Sequence, residues 1–265
     1  MHYTACEWKI FAGRTIYGKL YRPDPKDNTA PDTLDTPESH ATPPYPVVIF
    51  SHGYNGCHAD FERECSFLAE HGIAAYAFDF CGASTRSKSD GNSLLLTPFT
   101  MKDDLLAVVE AISALDFIDR NKITLFGGSQ GGFVSALAAE EAKEKIHSLI
   151  LCYPALCIPD NWQERFPSLE DIPEAVDFWG LRLGRAYFAS IHGFDVFANI
   201  GKYDRNVLIV HGDRDEIVPL SYSVRAQKVY PHAELYVLPG EGHGYTPEGI
   251  NAMLSVMLPF LNRCE

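Results

Sequence analysis

Among its seven cysteines the sequence has no CxxC pair and no Cys/His spacing of the kind that holds zinc. Scattered and odd in number, they read as reduced thiols rather than a disulfide framework. There is no cluster of lysines and arginines, and 35 acidic against 22 basic residues leave a net charge of −13. That balance argues against a nucleic-acid or anionic-membrane surface and favours a small-molecule partner. Met1 to Trp8 has no basic segment followed by an apolar run, and no stretch of about 18 apolar residues occurs. A cytoplasmic protein is expected. Internal repeats are absent too, so one domain over residues 1–265 is the expectation, with oligomeric state left open, a homodimer included.

What is present is an alternation of apolar runs and helical patterns. Trp8 to Phe11 and Thr15 to Tyr21 flank the turn at Gly13 and read as an antiparallel hairpin at one sheet edge. Arg22 to Pro46 is proline-rich and acidic, a composition expected of a long surface loop. Val47–Phe50, a helix over Asp60–His71 and the strand Ile73–Asp79 then make a crossover unit of a parallel sheet. A helix near Met101–Phe117 leads to Ile123–Phe126, and Ser148–Tyr153 is a further strand. Pro154 to Tyr203 breaks the alternation and is rich in aromatics, as a lid-like insertion at the carboxyl edge of the sheet would be. Regularity resumes with Val207–Val210, a helix around Ser221–Val229, the strand Glu234–Leu238 and a closing helix over Glu248–Leu261.

Gly127-Gly-Ser129-Gln-Gly131, between an apolar strand and a small-residue helix, has the form of a sharp turn that exposes a nucleophilic serine. Glycines fit there because a Cβ would meet the neighbouring strand or helix. A serine hydroxyl is a poor nucleophile until an imidazole takes its proton and a buried carboxylate fixes that imidazole's tautomer. Three histidines lie beyond residue 210. His211 precedes every plausible acid in its own loop, and His232 occupies a helix-to-strand turn at the opposite edge. His243 follows the last strand in a glycine-rich loop, at the same edge as Ser129, and is the expected base.

The acid comes from His211-Gly-Asp-Arg-Asp-Glu-Ile-Val-Pro219. Asp215 is preferred because Ile217 and Val218 should anchor the loop behind it; Asp213 is the alternative acid, though it could instead cap the turn or pair with Arg214, and Glu216 should face solvent. Backbone N–H groups of Gln130, at the start of the helix, and Tyr54, after Gly53, are the expected oxyanion donors. His52 and His58 lack a third ligand and are read as structural, so no metal is expected. The glycines around Ser129 do not make the dinucleotide pattern GxGxxG, and no cofactor is implied.

With these residues in order, the chain resembles the α/β-hydrolase superfamily over nearly its full length. Within it, Phe50-Ser-His-Gly-Tyr-Asn-Gly56, Ala77-Phe-Asp-Phe-Cys-Gly82, Ser129-Gln-Gly-Gly132 and the insertion after Tyr153-Pro-Ala resemble the cinnamoyl and feruloyl esterases of bacteria. The resemblance implies a mostly parallel central sheet with an N-terminal antiparallel hairpin, helices on both faces, and a cap over about 154–203. It also implies hydrolysis of small carboxylic esters, the aromatic acyl part lying beneath the cap. Trp162 or Trp179, together with Tyr187, are the expected acyl-site residues, with the core of the insertion as the alternative place for these rings. Gly128 stands where these esterases usually carry histidine; a glycine pair is also seen in acetyl esterases and in serine peptidases of the fold. An aminoacyl or oligopeptide hydrolase, and a non-catalytic binding relative, are the alternatives.

Overall fold

A computed structural model describes residues 2–24 and 44–264. Its core is an eight-stranded sheet built from β1 (Tyr3–Phe11), β2 (Thr15–Pro23), β3 (Tyr45–Ser51), β4 (Ala74–Phe78), β5 (Ile118–Gly128), β6 (Ser148–Cys152), β9 (Asn206–Gly212) and β10 (Ala233–Leu238). The spatial order is β1-β2-β4-β3-β5-β6-β9-β10. The first two strands pair antiparallel and β2 runs antiparallel to β4, whereas every pairing from β4 to β10 is parallel. The expected hairpin is therefore at the sheet edge. The proline-rich stretch lies mostly outside the described residues, but its two ends are strand: Arg22 and Pro23 complete β2, and Pro46 lies in β3.

Parallel strands buried on both faces need apolar residues in succession, and β3 shows why. Val47 and Ile49 enter the core on one side, and Val48 and Phe50 the core on the other. The first core takes α2 (Pro98–Ser113) and α3 (Gln130–Glu141); the second takes α1 (Glu62–Glu70) and α8 (Pro247–Arg263). Thr97 caps α2 by accepting from Thr100 N–H, with Pro98 in the first turn where a missing N–H costs nothing.

The insertion between β6 and β9 is more regular than its composition suggests. It contains α4 (Ile158–Arg165), a hairpin of β7 (Ala175–Phe178) and β8 (Leu181–Gly184), α5 (Arg185–Ile191) and α6 (Val196–Asn199), with α7 (Leu220–Val229) following β9. The hairpin turn is Trp179-Gly180, both with positive φ (40° and 79°). Such turns normally carry Asn or Asp before Gly, so a tryptophan there gives no turn signal in the sequence. Its strained backbone is held from outside: Asn55 Nδ2 donates to Trp179 O at 3.2 Å, and the indole stacks on Phe178.

No helix among the described residues is long and apolar enough to cross a membrane. All seven cysteines are unpaired.

Candidate active site

Ser129 sits between β5 and α3 with φ 54° and ψ −122°, a conformation that non-glycine residues rarely adopt. The neighbouring glycines make it possible. A Cβ on Gly127 would collide with the backbone of Gly131, and one on Gly131 with the carbonyl oxygens of Ser51 and His52. The turn is pinned from both sides: Ser129 N–H donates to Cys152 O at 3.0 Å, and Ser129 O accepts from Ala155 N–H at 2.9 Å.

The Ser129 hydroxyl lies 2.9 Å from His243 Nε2, and His243 Nδ1 lies 2.8 Å from Asp215 Oδ2. Three separate strand ends thus converge, those of β5, β9 and β10, as the sequence order requires. Asp215 has no exposed side-chain surface. Burial raises its pKa, but hydrogen bonds from His211, His243 and Val218 N–H outweigh that and hold the carboxyl well below the ordinary range. It is ionised throughout neutral pH and can keep the proton of His243 on Nδ1, leaving Nε2 free to accept from serine.

The competing carboxylates go elsewhere. Asp213 Oδ1 accepts from Gly240 N–H at 2.6 Å, which ties the β9 loop to the β10 loop, and Glu216 is exposed. Val218 anchors the loop as expected. Ile217 does not: its side chain is exposed, and its N–H joins that of Val218 on Asp215 Oδ1, both at 2.9 Å. His211, set aside as the base by its place in the chain, still joins the site. It is fully buried beside Asp215, with Nδ1 2.7 Å from Ser223 Oγ and Nε2 3.2 Å from Asp215 Oδ2.

Gln130 opens α3, so its N–H has no carbonyl one turn back. Tyr54 N–H donates to none of the described residues, and its loop runs so close to the serine that a Cβ on Gly53 would sit 3.2 Å from Ser129 Cβ. Buried His52 fixes that loop: its Nδ1 lies 2.7 Å from Gly53 O, and its Nε2 accepts from Phe80 N–H at 3.1 Å. Burial lowers its pKa, in keeping with a neutral ring whose acceptor nitrogen is used. The Tyr54 side chain does more than pack, since its hydroxyl donates to Phe178 O at 2.7 Å and so ties the insertion to this loop.

Two cavities open on Ser129. The first, about 190 Å³, is bounded by Tyr54, Gln130, Trp162, Phe178, Trp179 and Tyr187. All three expected aromatic residues therefore line one cavity with the serine, although Trp162 also packs edge-on to Phe178 and Phe188 as part of the insertion's own core. The second, about 330 Å³, lies on the His243 side and includes Gly128, Tyr153 and Tyr245.

Away from these cavities, Cys57, His58 and Asp79 bring potential ligand atoms within 4.8 Å of one another, a grouping the sequence did not suggest. Hydrogen bonds occupy both Asp79 oxygens: His58 N–H and the His58 ring are on Oδ1, and Lys88 N–H is on Oδ2. The carboxylate thus ties the loops after β3 and β4 together.

A strained serine between strand and helix, a histidine and acid from two later strand ends, and this sheet order define an α/β hydrolase. The chain belongs to the family described as "Serine aminopeptidase, S33", whose model matches residues 42–185. Its fold is similar to Est1E from Butyrivibrio proteoclasticus, solved with ferulic acid bound, at 31% identity over 95% of this chain and 98% of that one, with a TM-score of 0.78. It is also similar in fold to mouse alpha/beta hydrolase domain-containing protein 10, at 18% identity over 98% of this chain and 100% of that one, with a TM-score of 0.73. Among curated proteins, the non-heme chloroperoxidase CPO-A1 of Kitasatospora aureofaciens is 30% identical over 95 residues, which is 32% of this chain and 34% of that protein. The chain thus matches only about a third of the length of the curated relatives.

Proposed function

We propose that the chain is a serine esterase that cleaves small carboxylic esters through an acyl-enzyme. The observation that carries this reading is the Ser129 hydroxyl, 2.9 Å from His243 Nε2 and opening into an aromatic-walled cavity. Ser129 Oγ attacks the ester carbonyl carbon as its proton passes to His243 Nε2. The carbonyl oxygen becomes an oxyanion that accepts from the Tyr54 and Gln130 N–H groups, with the positive end of the α3 dipole beside it. Collapse breaks the bond to the alcohol oxygen, which leaves with the proton from His243. Water, deprotonated by the same nitrogen, then frees the acid and restores Ser129.

The first cavity is the acyl site. Trp162, Trp179 and Tyr187 offer flat apolar walls, which suit an aromatic acid of the hydroxycinnamoyl kind, and Est1E was solved with ferulic acid bound. The insertion over residues 154–203 is the cap of this site, and the partner is the small ester itself. A second reading, hydrolysis of aminoacyl or peptide amides by the same residues, is favoured by the family description.

A panel of acetyl, butyryl and feruloyl esters beside peptide p-nitroanilides separates the two readings. The esterase reading expects faster turnover of feruloyl esters than of any anilide, with all of it lost in Ser129→Ala. Anilide preference would move the assignment, and turnover surviving in Ser129→Ala would end it. A fluorophosphonate that leaves the wild type unlabelled would point instead to a binding protein without chemistry.

A further inference from the structure

Glu64 is the exception on the inner face of α1. It is 5% exposed, flanked by Cys65 and Leu68 in the second core, and it lines the 330 Å³ cavity beside Ser129. Its carboxylate makes no hydrogen bond or ion pair to another of the described residues, although buried carboxylates are ordinarily paired. Burial raises its pKa. The other charges facing the cavity cancel: Arg86 Nη1 and Nη2 grip the two oxygens of Asp60, each at 2.8 Å. Glu64 is left without a paired cation, helped by its own backbone N–H and by the Arg63 charge at longer range, among the rings of Phe61, Phe126, Tyr153 and Tyr245.

Which part of an ester enters this cavity follows from where the proton must go. The departing alcohol oxygen takes its proton from His243 Nε2, so it leaves on the side where that ring is open. His243 lines the second cavity and not the first. Gly128 keeps the passage clear, since even a Cβ there would lie 3.3 Å from the Tyr153 hydroxyl and 3.7 Å from Phe61 Cζ.

Resting on the esterase reading, we propose that this cavity selects a leaving alcohol that carries a positive charge, with Glu64 as its counter-ion and the aromatic rings as its walls. Only a cation both restores the charge balance at Glu64 and gains from the faces of aromatic rings. A neutral polyol could hydrogen-bond the carboxylate but would leave its charge uncompensated. The net charge of −13 also favours the arrival of cations.

The test uses two esters of one aromatic acid that match in shape and differ in charge, the 2-(trimethylammonio)ethyl ester and the 3,3-dimethylbutyl ester. The wild type should favour the cationic ester by about tenfold in kcat/KM, and Glu64→Gln should bring the ratio close to one. Because the ratio is taken within one preparation, partial loss of folded protein cancels from it. A wild-type ratio of one or below, or a preference that survives Glu64→Gln, would overturn the inference. The methyl ester of the same acid identifies which idea failed. Its turnover without cation preference sinks the role of Glu64 alone, and no turnover of any ester sinks the esterase reading and this inference together.

Discussion

His211 Nε2 lies 3.2 Å from Asp215 Oδ2, the same oxygen that meets His243 Nδ1 at 2.8 Å, so the carboxylate is held between two imidazoles. The Ser223 hydroxyl at Nδ1 and the Val218 carbonyl 3.0 Å from Nε2 are consistent with a proton on Nε2, aimed at the acid loop. On the esterase reading His211 acts as a positioning residue, holding Asp215 as Asp215 holds His243. Replacing it with leucine should lower kcat by about ten- to a hundredfold with little change in KM, the pattern of a displaced relay. Steady-state kinetics on one aryl ester measure this. An unchanged kcat would show that the loop holds Asp215 without it.

The two aspartates of the β9 loop should separate cleanly. Asp215→Asn removes the charge that steadies an imidazolium and permits the wrong tautomer, so a loss of about 10⁴ in kcat is expected. Asp213 spends its carboxylate on Gly240 N–H, at an exposed position. Asp213→Asn should therefore stay within about tenfold of wild type, in line with the worth of one surface hydrogen bond. The opposite ranking would transfer the acid role to Asp213.

Tyr54→Phe keeps the backbone N–H but removes the hydroxyl that holds Phe178 O, the latch between the insertion and the loop after β3. One lost hydrogen bond is worth about 1 kcal/mol, so KM for a bulky aromatic ester should rise about fivefold. That for acetyl esters, too small to need the aromatic wall, should hardly move. Equal effects on both would mean that the latch does not shape the first cavity.

How much of this was legible follows from what each residue leaves in the sequence. Ser129, Asp215 and His243 follow strands legible as short, mostly apolar segments, so chain order and strand ends were enough to group them. The β7–β8 hairpin was missed because Trp179 occupies a turn position that ordinarily announces itself with Asn or Asp. The Tyr54 latch joins residues 124 apart, a pairing no local pattern can express. Glu64 did leave a trace: Phe61, Glu64, Cys65 and Leu68 stand at i, i+3, i+4 and i+7, the spacing of a buried helix face. One acid in an otherwise apolar stripe was the available signal, and glutamate's frequency on exposed helix faces makes that signal weak.

The same glutamate predicts a pH dependence of stability whose sign is opposite to that of Asp215. A carboxyl whose folded pKa is raised favours the folded state most when protonated, below its unfolded pKa of about 4.3, and that advantage is lost as pH rises through the higher folded value. Asp215 runs the other way, its contribution present above the unfolded pKa and lost as pH falls. Glu64→Gln removes the titrating charge while keeping the side chain's size. The variant should therefore melt close to wild type near pH 4 and above it near pH 8. Thermal melts of the two proteins across that range measure the difference. If Glu64→Gln is less stable than wild type at pH 8, the carboxylate has a partner that compensates its charge, and the second cavity is not waiting for one.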